Sequence, residues 1–166
     1  MIAWKAENNL KEISKVMKDA GVTPERAVWC GDYVDGLVYE DGADVAQTDT
    51  LPRLNLIKST MSEQWPDIQY MFLQGNHDYS GYVTDGTFDA TGAYEFDDYI
   101  IYILNEDDFP WWQGVDSDYS DSVKNKATVQ NTANDMEEFF DEKIEEGCEK
   151  PVIIAAHIPL SWSTRS

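Results

Sequence analysis

The chain has 166 residues, 32 of them acidic and 12 basic, giving a formal net charge of −20; 42% are hydrophobic, with 6 Trp, 9 Tyr and 6 Phe. This length fits a single domain over 1–166 with a real core, and the aromatic load excludes a disordered chain. The charge excludes binding to nucleic acid or an anionic membrane by electrostatic attraction, no run of 18 apolar residues spans a bilayer, and two cysteines are too few for a disulfide framework or a CxxC-type zinc site.

Glu7 to Ala20 places Leu10, Ile13, Val16 and Met17 at helical spacing, with Gly21 as the stop. Arg26-Ala27-Val28-Trp29-Cys30, ending at Gly31, predicts a buried strand in which Cys30 is a small buried side chain. Thr48 to Gln64 puts Leu51, Leu54, Ile57 and Met61 on one helical face, and Trp65-Pro66 ends it. Ile68 to Leu73 is a second apolar run that ends in Gly75. Ser80 to Gly92, rich in Gly and Asp, reads as loop. Ala93 to Phe96 and Tyr99 to Leu104 read as two strands joined at Asp97-Asp98. Thr128 to Glu146 predicts a helix with Met136, Phe139, Phe140 and Ile144 as its stripe and Gly147 as its cap. Pro151 to Ala156 is the last apolar strand. Strands alternating with helices predict an α/β fold.

No Lys or Arg stands between Ser59 and Val123, and Asp85 to Asp121 holds eleven carboxylates. A solvated acidic face accounts for that run. A calcium loop on Asp116, Asp118 and Asp121 fails, because Asp121 and Ala127 stand where such a loop needs Gly and Glu. Trp111-Trp112 reads as core or as the lining of a substrate pocket.

Three segments place ligand-type residues where a predicted strand ends: Gly31-Asp32-Tyr33-Val34-Asp35-Gly36, Gly75-Asn76-His77-Asp78 and Ala156-His157. In an α/β sheet the carboxyl ends of the strands form the ligand crevice. Carboxylate, carboxamide and imidazole donors gathered there suit manganese, iron or zinc. Taken singly, Asp32 and Asp35 also read as turn residues, Asn76-His77-Asp78 as a polar turn, and His157 as a satisfied, half-buried histidine. Jointly those readings weaken, since both histidines of the chain fall in these segments.

Gly-Asp-x-x-Asp, then Gly-Asn-His-Asp, then a strand ending in His followed by x-Pro-Leu resembles the calcineurin-like metallophosphoesterases, over roughly Ala27 to Leu160. The helix before Pro151-Val152-Ile153-Ile154 is also similar to the one that precedes the family's third metal motif. The resemblance implies part of a layered sandwich, a mixed β-sheet flanked by helices. It implies that Asp32 bridges two metal ions, and that Asn76 and His157 bind the second of them. His77 would protonate the leaving oxygen or stabilise phosphoryl charge, with Asp78 orienting its ring and Asp35 hydrogen-bonding nearby. The reaction implied is attack on the phosphorus of a phosphoester substrate by a metal-bound hydroxide.

The family's Asp-x-His and Gly-His-x-His motifs are not in this sequence, whose two histidines are fewer than the full metal set calls for. The expectation is therefore the middle portion of such a protein, cut at both ends, binding at most one metal weakly and turning over little by itself. The alternatives are a non-catalytic remnant serving as a binding module and an acidic interaction domain without a site. Gly36 stands where the serine/threonine phosphatase branch carries Arg, which sets the chain apart from that branch. Sheet edges left exposed offer self-association as one way of covering them.

Overall fold

A computed structural model describes residues 2–32, 37–40, 43–46, 50–75, 78, 87–105 and 122–157. The element order is α1 (Ile2–Asp19), β1 (Arg26–Trp29), β2 (Leu37–Glu40), β3 (Ala43–Ala46), α2 (Thr50–Gln64), β4 (Gln69–Phe72), β5 (Gly92–Glu95), β6 (Ile100–Leu104), α3 (Ser122–Glu145) and β7 (Val152–Ala156). Two compact units divide these elements: Met1–Phe72 with His77–Phe88, and Leu73–Asn76 with Asp89–Ser166.

In the first unit, Leu10 of α1 packs with Leu54, Ile57 and Met61 of α2, and Ala27, Trp29, Tyr70, Phe72 and Phe88 close over them. Burying each large aliphatic side chain contributes about 1.5–3 kcal/mol. β1 and β4 run parallel with Ala27 opposite Tyr70 and Trp29 opposite Phe72. The period of two turns those four side chains to the helices, while Met71, on the other face, is also buried. The Tyr70 hydroxyl reaches the carbonyl oxygens of Met61 and Trp65 at the end of α2, fastening β4 to that helix. Burial pushes the Tyr70 phenol up.

Several sequence expectations need correcting here. α1 starts earlier than Glu7, and its inward stripe is Leu10, Ser14 and Met17, whereas Ile13 (51%) and Val16 (65%) face solvent. At about 100° per residue, Leu10, Ser14 and Met17 share a narrow face, which Val16 leaves. β1 is half-buried rather than buried and stops at Trp29, so Cys30 lies beyond the strand and is exposed. Its thiol is still partly covered, and that desolvation pushes its pKa up. The antiparallel pair β2–β3, Leu37 opposite Ala46 and Glu40 opposite Ala43, was not anticipated. The signal was there: Asp41-Gly42 stands between two four-residue runs, a strong hairpin cue.

In the second unit the sheet order is β5-β6-β7, antiparallel for the first pair and parallel for the second. The central strand β6 is buried at all five residues. A turn bonded from Phe96 N–H to the Tyr99 carbonyl (2.9 Å) joins β5 to β6, as expected at Asp97-Asp98. α3 lies between the parallel strands β6 and β7 in the chain, the crossover such a pair requires. It packs through Phe139 and Phe140, whose rings lie 5.6 and 6.0 Å from that of Tyr102. Ile144, expected in the same stripe, is exposed. α1 and α3 end alike: Val22 N–H donates to the Met17 carbonyl and Gly21 N–H to that of Lys18, and Cys148 and Gly147 repeat the pattern on Lys143 and Ile144. Gly21 and Gly147 both take φ of 68°, the left-handed conformation this cap demands. Both units combine helix and strand, so the α/β expectation holds. No helix among the described residues is long and apolar enough to cross a membrane.

Candidate functional site

β1 and β4 are parallel and in register to their last pair, Trp29 and Phe72, so their carboxyl ends share one edge. Beyond β1, Gly31 and Asp32 both take positive φ, 87° and 54°. A left-handed non-glycine residue costs about 1–2 kcal/mol, at the lower end for Asp. One bond offsets that cost: Asp32 N–H donates to Asp78 Oδ2 at 2.7 Å, across 46 positions of sequence. Hydrogen bonds to a charged group contribute about 1.5–3 kcal/mol. Asp78 is fully buried, and a buried carboxylate persists only when it is hydrogen-bonded. The bond therefore ties Asp32 to Asp78, while Asp32 itself stays exposed. The chain returning at Thr87 and Phe88 is held by Lys58, whose ammonium donates to the Thr87 carbonyl and lies 4.4 Å from the Phe72 ring centroid and 5.9 Å from that of Phe88.

In the second unit, Leu104 of β6 pairs with Ala156 of β7. Asn105 and His157 are the next residues on these neighbouring parallel strands, and His157 is half-buried. Asn105 is 6% exposed and carries three bonds. Its Oδ1 accepts from Gln74 N–H (2.8 Å), its Nδ2 donates to the Asp89 carbonyl (2.7 Å), and its own N–H donates to Thr91 Oγ1 (3.1 Å). Asn105 was not among the sequence-derived candidates. It meets the criterion that selected the others, a polar donor residue directly after an apolar strand, but it belongs to no motif.

Asp35, Asn76 and His77 lie outside the described residues, as do Trp111, Trp112, Asp116, Asp118 and Asp121. Among the described residues no group of three or more His, Cys, Asp or Glu stands close enough to hold a metal ion. The donors named from sequence are one carboxylate, one carboxamide oxygen and one imidazole, a set whose chemistry fits manganese, iron or zinc.

No curated protein and no solved structure matches the chain significantly. A family model described as calcineurin-like phosphoesterase matches residues 6–166, nearly the whole chain, both motifs and the His157 strand included. The chain belongs to the calcineurin-like phosphoesterase family.

Proposed function

We propose that the protein is a metal-dependent phosphoester hydrolase, with residues 1–166 acting as one metallophosphoesterase-like domain. The observation that carries this reading is the family match over 6–166, and the bond between Asp32 and Asp78 supports it by tying the first motif to the second. Asp32, Asn76 and His157 would hold a divalent ion, which when bound supplies Lewis acidity toward phosphoryl oxygen and makes water a nucleophile near neutral pH. His77 gives a proton to the leaving oxygen as its bond to phosphorus breaks and the bond from water forms. Asp35 and Asp78 hydrogen-bond around these groups and keep them oriented. The proton shed by the attacking water replaces the one His77 gives up, and the products are an alcohol and a phosphate, or a phosphomonoester where the substrate is a diester.

A second reading concerns residues 1–166 alone. The sequence has two histidines, and Asp32 is the one charged member of the trio, so the donor set favours weak binding of a single ion over fast turnover. Turnover of p-nitrophenyl phosphate and bis-p-nitrophenyl phosphate with added Mn²⁺ tests both. His77→Ala is expected to lower turnover by about 10²–10⁴-fold while Mn²⁺ affinity stays within twofold. Asp32→Asn is expected to lose both. Turnover unchanged by Asp32→Asn would remove the hydrolase reading, and Mn²⁺ binding without turnover would favour the second.

A further inference from the structure

We infer that Asn105 is a positioning residue: its carboxamide fixes the segment that leads into Asn76 beside the strand end that carries His157. The inference rests on the reading of Asn76 and His157 as metal ligands. Leu104 and Ala156 are register partners on parallel strands, so Asn105 and His157 occupy equivalent next positions on strands spaced about 4.8 Å apart. Gln74 is two residues before Asn76, and its N–H donates to the Asn105 carboxamide at 2.8 Å. The backbone at Gln74 is thus held at the end of β6, next to the end of β7, through one side chain.

That side chain has one workable orientation. A backbone N–H can only donate and a carbonyl can only accept, so Oδ1 must face Gln74 and Nδ2 must face Asp89. Gln74 and Asp89 lie 31 and 16 positions before Asn105, and the chain between them carries Asn76, His77 and Asp78. One carboxamide therefore joins both ends of the excursion that bears the second motif, and the Thr91 hydroxyl accepts from the Asn105 N–H beside it. Gln74 and Asn105 are both buried, at 7% and 6% exposure, where few water molecules compete for these bonds. Groups that orient metal ligands in this way typically cost about 10–100-fold in metal affinity when removed.

The test compares the full chain with Asn105→Ala and with Ile103→Val, a core truncation in the same strand. Mn²⁺ affinity is read by titration calorimetry, and amide hydrogen exchange is read at Gln74. Asn105→Ala is expected to weaken Mn²⁺ binding by about 10–100-fold and to release the Gln74 amide, with protection kept at Ile101 to Leu104. Ile103→Val is expected to keep Mn²⁺ affinity within twofold, because general loss of stability is not the cause. Should Asn105→Ala not fold, Asn105→Asp keeps the acceptor for Gln74 and loses the donor to Asp89. It is then expected to leave the Gln74 amide slow and speed exchange at residues 89–91. Asn105→Ala with wild-type Mn²⁺ affinity and a protected Gln74 amide would overturn the inference, as would equal Mn²⁺ losses in Asn105→Ala and Ile103→Val. A wild-type chain that binds no Mn²⁺ removes the ligand reading instead, and exchange at Gln74 then decides whether Asn105 holds that segment.

Discussion

Ser14 is fully buried on the inner face of α1, and its hydroxyl has no hydrogen-bond partner among the described residues. A buried hydroxyl in that state costs about 1–3 kcal/mol, and alanine is also the better helix former. Ser14→Ala is expected to raise stability by about 1 kcal/mol, or about 2–4 °C in melting temperature for a chain of this size. A lower melting point would mean that the hydroxyl is satisfied in solution. Asp78 presents the opposite case, since its carboxylate accepts the Asp32 amide. Asp78→Ala leaves a donor unpaired in a left-handed turn, whereas Asp78→Asn keeps a neutral acceptor. Urea unfolding should place the asparagine variant between wild type and alanine; equal losses would assign the effect to the charge alone. Asp32, Asn76, His77, Asp78 and His157 could be named as candidates from sequence because each sits in a short motif. Ser14 and Asn105 were not, because their importance comes from burial and from partners distant in sequence. A chain of letters shows neither.

Elements reveal themselves through periodicity and punctuation. Gly21 and Gly147 marked the ends of α1 and α3, and the apolar runs marked β1, β4, β6 and β7. Which apolar residues face inward was less legible. Ile144 and Ile13 continue helical stripes yet stand in solvent, because the packed face is set by the partner sheet or helix and not by hydrophobicity. α3 is also tied to β5 by charge: Lys143 Nζ lies 2.7 Å from Glu95 Oε1 and 2.9 Å from Glu146 Oε2. Hydrogen bonding to Lys143 holds the Glu95 carboxyl below its usual range, and bonds to Glu95 and Glu146 push the Lys143 ammonium well up. The depressed Glu95 value stabilises the folded chain above the ordinary glutamate pKa of about 4.3 and is lost as pH falls through the lower folded value. The raised Lys143 value stabilises below the ordinary lysine pKa of about 10.4 and is lost as pH rises through the higher folded value. Glu95→Gln should therefore lower the melting temperature at pH 7, with the gap from wild type closing in acid. The Glu95 carboxylate is exposed while Lys143 is half-buried, so added salt should shrink the gap in part as well. A gap that persists at the lowest pH would mean that the bond acts without charge.

At the scale of the whole molecule the governing fact is charge, 12 basic against 32 acidic side chains and a net of −20. The outer face of α3 alone groups Glu137, Glu138, Asp141, Glu142 and Glu145. Such a surface repels itself, and the repulsion weakens as the screening length falls from about 30 Å at 0.01 M salt to about 8 Å at 0.15 M. NaCl should therefore raise the melting temperature gradually and then level off. A bound ion acts by a different law. Binding only to the folded chain adds about 2.7 kcal/mol when the free ion is a hundred times its dissociation constant, which corresponds to about 5–10 °C for a chain of this length. Mn²⁺ titrated at fixed ionic strength separates the two, because screening is then constant and any further rise must come from occupancy. The wild-type chain is expected to show that further rise. Asp32→Asn is expected to abolish it while keeping nearly all of the NaCl response, since one carboxylate is a small part of the total charge but the only charged member of the proposed trio. If Asp32→Asn keeps the full Mn²⁺ response, the ion is held by the acidic surface at large, and Asp32 is not its ligand.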